Sequence, residues 1–458
     1  MSDGTAHPNI LFLIDDQHRY DYLGRLNPAY VDTPNLDRLS RNGMLFTHCC
    51  TTSPLCAPAR IALATGLSAT RTGAFSNEDV LAPGSHTHYQ HFRDAGYRVE
   101  LVGRHDLSKP GAPASIHGNR PLNFSYGFTR VLEVEGGMAC AREGREGRIT
   151  GPYTKYLQEN GYFKPYVDDF VGRLEKGWII GASHDSVLPP EMHQDAFVGR
   201  EAVARIEGME DDYPWYMFVS FQSPHDPFDP PSDLGSKYRD REVPSAITSE
   251  SSGKPARVER RRAMFAHATE EDIRIARRQY AAKVELIDQQ VGLILDALKR
   301  KGLCRNTIIV FASDHGEMLG DHGLFQKHTA YEASLRVPLI LAGPGITRGV
   351  SHALVELFDV NPTLCELAGL SARKGLDARS FAPLLAGSAS EHRQECVTYG
   401  QHYRAIRTQT HKYIETGDDV SELYDLTEDP NECRNLVETD RETGAALARR
   451  LHDRDPCA

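Results

Sequence analysis

Ser53-Pro54-Leu55-Cys56-Ala57-Pro58-Ala59-Arg60 runs directly into Ile61-Ala62-Leu63-Ala64-Thr65-Gly66. Pro54 and Pro58 fix the backbone on either side of Cys56. The turn and the apolar run after it predict a helix N-terminus at the cysteine, where a thiolate or another anion is favoured. Arg60 lies four residues on, about one helical turn, so its side chain folds back over Cys56. Ala57 and Ala59 leave room for a ligand. A lone cysteine is ordinarily a small buried hydrophobe. The prolines, the helix start and the arginine together mark this one as a reaction centre.

Working outward, Asn9 to Ile14 is a short apolar run that stops abruptly at Asp15-Asp16. This reads as a buried parallel-type strand whose carboxylates sit where open α/β sheets place their ligands. The bland alternative is a solvated turn, or a helix cap that includes Asp16. Strands of the same texture are expected at Tyr97 to Val102, Trp215 to Phe221, Thr307 to Phe311 and Val337 to Leu341. Helices are expected from Thr33-Pro34 to before Gly43, over His86 to Ala95, Glu201 to Glu207, and Arg278 to Lys301. The last carries a core stripe of Val284, Ile287, Val291, Ile294, Leu295 and Leu298. From about Val397 the residues alternate, and Tyr403 to Thr408 with His411 to Ile414 suggests a hairpin. The expected fold is α/β: a large mixed β-sheet sandwiched by helices, with a small antiparallel C-terminal subdomain. The division is 1–395 and 396–458. Residues 111–190 read as an irregular insertion of the lid or specificity-loop kind, and 229–270 as a second, loop-like one.

At 458 residues the chain exceeds a single-core size. Its 52 basic and 63 acidic residues give a net charge of −11, which argues against general nucleic-acid or anionic-membrane binding. Nine cysteines, an odd number with no C-x-x-C pair, argue against a disulfide framework or structural zinc. The first apolar run is too short for a signal-peptide core or a membrane span, so a cytoplasmic protein is expected.

Four more segments carry candidate chemistry, each just beyond a predicted strand or turn. They are Gly103-Arg104-His105-Asp106-Leu107-Ser108-Lys109, Ser223-Pro224-His225-Asp226-Pro227-Phe228, Ser313-Asp314-His315-Gly316-Glu317, and Lys327-His328 ahead of Tyr331-Glu332 and Arg336-Val337-Pro338. By itself the first is a charged surface loop. Among 20 histidines, position rather than type singles out His225, held between two prolines past a strand end. The basic cluster Arg257, Arg260, Arg261, Arg262 reads as a solvated face.

The pattern C-x-P-x-R with a T-G tail resembles the signature of the sulfatases of the alkaline phosphatase superfamily. The likeness runs from residue 9 to about 437, with five separated motifs in the right order. It implies an alkaline phosphatase-like fold and hydrolysis of a sulfate monoester. It also implies that Cys56 is oxidised after translation to formylglycine by a formylglycine-generating enzyme. By the resemblance, Asp15, Asp16, Asp314 and His315 join the oxygen at position 56 around one divalent cation. Ca²⁺ suits the carboxylates, and the histidine tilts toward Mn²⁺. Arg60 holds the nucleophile, Lys327 binds sulfate oxygens with His328 beside it, and His225 protonates the leaving alcohol. Arg104 and Asp106 stand where the family has G-K-x-H or G-K-x-D. The arginine keeps the charge but cannot donate a proton, so either the family's lysine acts only electrostatically or Lys109 or His105 takes part of its role. One hydroxyl of the hydrated aldehyde attacks sulfur, and the second then expels sulfate. The substrate implied is a small-molecule or saccharide sulfate ester. The rival readings are a phosphonate monoester or phosphodiester hydrolase with the same apparatus, and a catalytically silent metal-binding protein. The oligomeric state is left open.

Overall fold

Short apolar runs with no polar face form a sheet that is covered on both sides. The computed structural model describes residues 7–109, 119–177, 179–210, 213–249, 253–371, 373–417 and 419–454. Its larger sheet has nine strands: β1 (Asn9–Asp16), β2 (Met44–Cys50), β3 (Arg98–Gly103), β4 (Arg130–Glu133), β5 (Trp215–Pro224), β6 (Thr307–Ser313), β7 (Arg336–Ala342), β8 (Gly349–Ser351) and β9 (Val355–Glu356). Their order is β4-β3-β5-β1-β6-β7-β2-β8, with β9 paired to β2. The first five in that order are mutually parallel and β7 runs antiparallel to both its neighbours, so the sheet is mixed as expected.

β1 is central and wholly buried. Its alternating side chains divide between two cores. Ile10, Phe12 and Ile14 pack in one core with Ile61 and Leu63 of the Cys56–Thr65 helix. Leu11 and Leu13 pack in the other with Ile287, Val291 and Ile294 of the Glu270–Arg300 helix. That helix starts eight residues before the predicted Arg278. Its first turns have no apolar stripe and are held by a capping box between Thr269 and Asp272. Asp288 on the same helix accepts from the backbone N–H of Leu36 at 2.7 Å and Asn35 at 3.0 Å, capping the Pro34–Asn42 helix.

The smaller sheet is antiparallel, with β10 (Glu395–Gly400), β11 (Tyr403–Thr408), β12 (His411–Glu415) and β13 (Glu422–Asp425) in sequence order. Leu447 and Leu451 of the Arg441–Arg454 helix cover its Ile406, Tyr413 and Leu423. A buried ionic cluster joins this sheet to the rest: Lys412 Nζ lies 2.7 Å from Glu332 and 2.8 Å from Glu432, and Arg407 lies 3.2 Å from Glu332. Among the described residues no helix is long and apolar enough to cross a membrane.

Two readings are corrected. The 111–190 stretch is not irregular where it is described. It holds β4 and the helices Arg120–Ser125, Gly137–Gly144, Pro152–Glu159 and Phe163–Glu175; its first residues, 111–118, lie outside the described residues. Glycines that read as breakers are packing points. A Cβ at Gly137 would lie 2.7 Å from Phe170, and one at Gly144 would lie 2.5 Å from Val167. The 229–270 stretch likewise contains the Ser232–Tyr238 and Ala256–Met264 helices, with Pro231 and Pro255 as their N-caps.

Candidate active site

Cys56 is the first residue of the Cys56–Thr65 helix, all ten residues of which are buried. The helix ends at Gly66, whose φ of 71° suits glycine. No side chain of the preceding residues caps the start; instead Asn77 Oδ1 accepts from Ala57 N–H at 3.0 Å. Burial and Asp16 push the Cys56 thiol up. Lys109, Lys327 and His315 outweigh them and hold it well below the usual thiol range.

β1 and β6 end side by side at their carboxyl ends and bring their charged residues to the cysteine. Cys56 Sγ lies 3.2 Å from His315 Nε2 and 3.7 Å from Asp16 Oδ1. One donor atom from each of Asp16, Cys56, Asp314 and His315 lies within 4.8 Å of the others. This set fits a divalent cation. His315 Nδ1 bonds Gly316 O at 3.0 Å, and because a carbonyl only accepts, the proton sits on Nδ1 and the Nε2 lone pair is free to ligate. Gly316 itself is forced by space, since a Cβ there would lie 2.0 Å from Ala333 O. Burial and the neighbouring Asp16 push the Asp314 carboxyl up, as two carboxylates sharing a site do. Burial also pushes Asp16 up, but His225, Arg60, Lys327 and His315 hold it well below the carboxylate range.

Asp15 stands apart from that foursome. Its Oδ2 pairs with His18 Nδ1 at 2.6 Å, while its Oδ1 is buried with no hydrogen-bond partner. Arg60 is buried beneath the cluster. It donates to Asp314 Oδ2 at 2.8 Å and Ser220 Oγ at 2.7 Å, and lies 3.6 Å from Asp16. It therefore positions the carboxylates first.

Arg104 donates to Gln222 Oε1 at 2.7 Å and Asp106 Oδ2 at 2.9 Å. Lys109 lies 3.5 Å from the same Asp106 oxygen. His225 Nδ1 bonds Asp226 O at 2.7 Å, and its Nε2 lies 2.7 Å from Lys327 Nζ. Because a carbonyl only accepts, Nδ1 is the donor to Asp226 O and Nε2 is left as the acceptor facing Lys327. Arg104, Asp106, Lys109 and His225 line a cavity of about 400 Å³ whose far wall is Gly136, Tyr153, Tyr166 and Phe170 of the 111–190 stretch.

The two other expected substrate contacts are His105 and His328. His105 Nδ1 accepts from Leu107 N–H at 2.8 Å and its Nε2 faces Glu133 at 3.3 Å. His105 and Glu133 both line the same cavity as Arg104 and His225. Burial, Arg261 and Lys327 hold the His328 imidazole down to about 2, so it is neutral. Three residues escaped the sequence reading. Gln17 donates its N–H to Asp314 Oδ1 at 3.1 Å and its amide meets Lys327, Asp226 and Glu317. Ser220 and Gln222, two apart on β5, serve Arg60 and Arg104. The only signals available were that Gln17 follows the carboxylate pair and that Ser220 and Gln222 interrupt an apolar strand near its end.

Known proteins resemble this chain in sequence and in fold. The family model "Sulfatase" matches residues 8–370, and that for the N-sulphoglucosamine sulphohydrolase C-terminal region matches residues 320–455. The choline-sulfatase of Rhizobium meliloti (strain 1021) is 30% identical over 469 residues, covering 95% of this chain and 84% of the relative. An arylsulfatase of Clostridium perfringens (strain 13 / Type A) is 27% identical over 458 residues, covering 94% and 91%. The solved phosphonate monoester hydrolase of Agrobacterium radiobacter superposes with a TM-score of 0.80 at 24% identity, over 97% of this chain and 95% of that one. A structure in complex with D-glucosamine-2-N,6-O-disulfate gives 0.76 at 20% identity, over 98% of each. At these identities the structural likenesses establish the fold.

Proposed function

Because this chain belongs to the sulfatase family and is a sulfuric ester hydrolase, we propose that residue 56 acts as formylglycine, made from Cys56, on a small-molecule or saccharide sulfate ester. The observation that carries this is the setting of Cys56. It starts a buried helix, 3.2 Å from His315 Nε2 and 3.7 Å from Asp16, inside the four-residue set that could hold a cation; His315 Nε2 is within reach of the thiol, and it is the same lone pair that a cation at this set would take. His315 is turned by Gly316 to offer a lone pair, which suits a metal ligand. A serine here would be left sulfated after one transfer, whereas a hydrated aldehyde has a second hydroxyl with which to expel sulfate.

A divalent cation held by Asp16, Asp314, His315 and residue 56, with Asp15 Oδ1 a buried carboxylate oxygen without a hydrogen-bond partner, would supply Lewis-acid polarisation of the nucleophile. Ca²⁺ is the ion we favour and Mn²⁺ the alternative. The protein's own groups do the rest. Arg104, Lys109 and Lys327 face the transferring group and neutralise its oxygens. Arg60 fixes Asp314 and Asp16 from below. His225 delivers a proton from Nε2 to the leaving oxygen, and Lys327, 2.7 Å away, restores it.

The phosphonate reading uses the same groups. Peptide mass spectrometry across Cys56, on protein co-expressed with a formylglycine-generating enzyme, tests the nucleophile; rates on phenyl sulfate and phenyl phosphonate then test the ester. An aldehyde at 56 with faster sulfate turnover is expected. An unmodified thiol in every preparation would remove the mechanism and bring forward the silent metal-binding reading.

A further inference from the structure

The Ala256–Met264 helix carries four arginines, Arg257, Arg260, Arg261 and Arg262. Arg262 is spent, donating to Glu259 at 2.7 Å and to His322 O at 2.8 Å. Arg257, Arg260 and Arg261 form no ion pair among the described residues. Arg261 donates one Nη2 bond, to Phe325 O at 3.0 Å, while its Nε is buried with no acceptor. Arg257 lies over the Tyr403 ring at 5.2 Å, and Tyr403 Oη and Arg404 Nη1 are also buried without partners. These side chains share one groove. Its two carboxylates are already engaged. Glu415 pairs with Arg404 and His452, and Asp419 accepts from Ala256 N–H at 2.7 Å and Val420 N–H at 2.8 Å. Burial and mutual repulsion hold the Arg257 and Arg261 guanidinium groups below their usual range, a penalty that a bound anion would relieve. A concentration of unpaired arginine donors in a chain of net charge −11 is not explained by solubility.

The groove adjoins the catalytic centre. Arg261 and Arg257 are among the charges that keep His328 neutral, and His328 follows Lys327 in the chain. The loop 75–78 is shared: Phe75 lines the groove, Asn77 caps the Cys56 helix, and Glu78 lines the catalytic cavity.

We propose that Arg257, Arg260 and Arg261 form a second anion site, which takes a further sulfate or carboxylate group of the molecule whose ester is cleaved at residue 56. The substrate is then a polyanionic ester, with its charges spaced across the 75–78 loop. This rests on the sulfate-ester reading of the Cys56 site.

The test uses full-length protein with formylglycine verified at 56, sucrose octasulfate as the polyanion and 4-nitrophenyl sulfate as the monoanionic substrate. Arg257→Gln/Arg260→Gln is the variant, since neither side chain makes a hydrogen bond that the fold needs, whereas Arg261 supports Phe325 O. Calorimetric affinity for sucrose octasulfate should fall by roughly 10-fold or more. The polyanion should inhibit 4-nitrophenyl sulfate hydrolysis competitively, and more weakly in the variant, while kcat/KM for that small substrate stays level. Equal affinities for the two proteins would overturn the proposal. So would noncompetitive inhibition of the unmodified-arginine protein, because the groove would then lie off the substrate path. Calorimetry repeated on protein that retains the Cys56 thiol separates the two readings. Weaker binding by the variant supports the groove whether or not ester is turned over, and absence of turnover alone counts against the reading of Cys56.

Discussion

Replacing Gly136 by alanine should injure catalysis through Arg104 and through nothing else. The backbone of Gly136, at φ −78° and ψ 149°, suits any residue, so the substitution introduces no strain of its own. The added Cβ would lie 2.6 Å from Arg104 Nη1. To regain ordinary contact the guanidinium must retreat by about 1 Å. Nη1 is the atom that donates to Gln222 Oε1 at 2.7 Å, and the neighbouring Nη2 donates to Asp106 Oδ2 at 2.9 Å. Losing one such charged hydrogen bond costs about 1.5–3 kcal/mol. If the displaced cation no longer meets the transferring group, kcat/KM falls roughly 10- to 150-fold. The control is Arg104→Lys, because lysine has no Nη1 and its single ammonium ends short of Gly136. Adding Gly136→Ala to Arg104→Lys should change kcat/KM by less than about twofold. The assay is the four-protein cycle on an aryl sulfate, with a thermal midpoint for each protein. An alanine effect of the same size in both backgrounds, or no effect in either, would refute the link between the two residues.

Other consequences are simpler to test. Burial holds the His88 imidazole down to about 3; one ring nitrogen lies 3.2 Å from Ala64 O and the other 2.9 Å from Tyr216 Oη. The folded state therefore binds fewer protons than the unfolded chain, whose histidine titrates near ~6.5, and stability present above that pH is lost as pH falls toward 3. Between pH 7 and 5 the loss from this residue is about 2 kcal/mol, and urea unfolding of His88→Gln should show a pH dependence smaller by that amount. Lys412→Met leaves Glu332 and Glu432 buried beside one cation fewer, and should cost about 3–5 kcal/mol in denaturant unfolding. Chelation should abolish ester hydrolysis and added Ca²⁺ should restore it; full activity after exhaustive chelation would count against a resident cation.

The placement of the site's carboxylates was legible because a parallel strand that stops in charge puts them at the sheet's ligand end. Asp15-Asp16 and Asp314-His315 are read that way, and β1 and β6 do lie side by side. The cysteine was legible because proline, helix start and arginine coincide within a few residues. The Gly137–Gly144 and Phe163–Glu175 helices were not, because their glycines serve contacts with Phe170 and Val167 that only the packed state reveals. His105 does line the cavity, as its place in the motif suggests, but its ring partners Leu107 N–H and Glu133 left no pattern in the sequence. Gln17, Ser220 and Gln222 left no pattern, since the hydrogen bonds by which they act run to partners far along the chain.

The position of Cys56 itself is a tertiary fact. The segment that leads to it, Thr51 to Leu55, forms no strand or helix. Its backbone groups are satisfied one by one from outside. Thr51 N–H donates to Leu335 O at 2.9 Å, Thr51 O accepts from Thr398 Oγ1 at 3.0 Å, Thr52 O accepts from Tyr399 N–H at 2.9 Å, and Pro54 O accepts from His328 N–H at 3.4 Å. Two of those four partners belong to the small C-terminal sheet. That sheet is locked in turn by Lys412 and Arg407 onto Glu332, three residues before Leu335. Cys56 is thus clamped between two sheets by bonds formed on folding, and no ordering of the segment that leads to it is left to be done when substrate arrives. This is a physical reason for a hydrolase of this kind to keep its C-terminal sheet although none of that sheet's side chains lines the catalytic cavity.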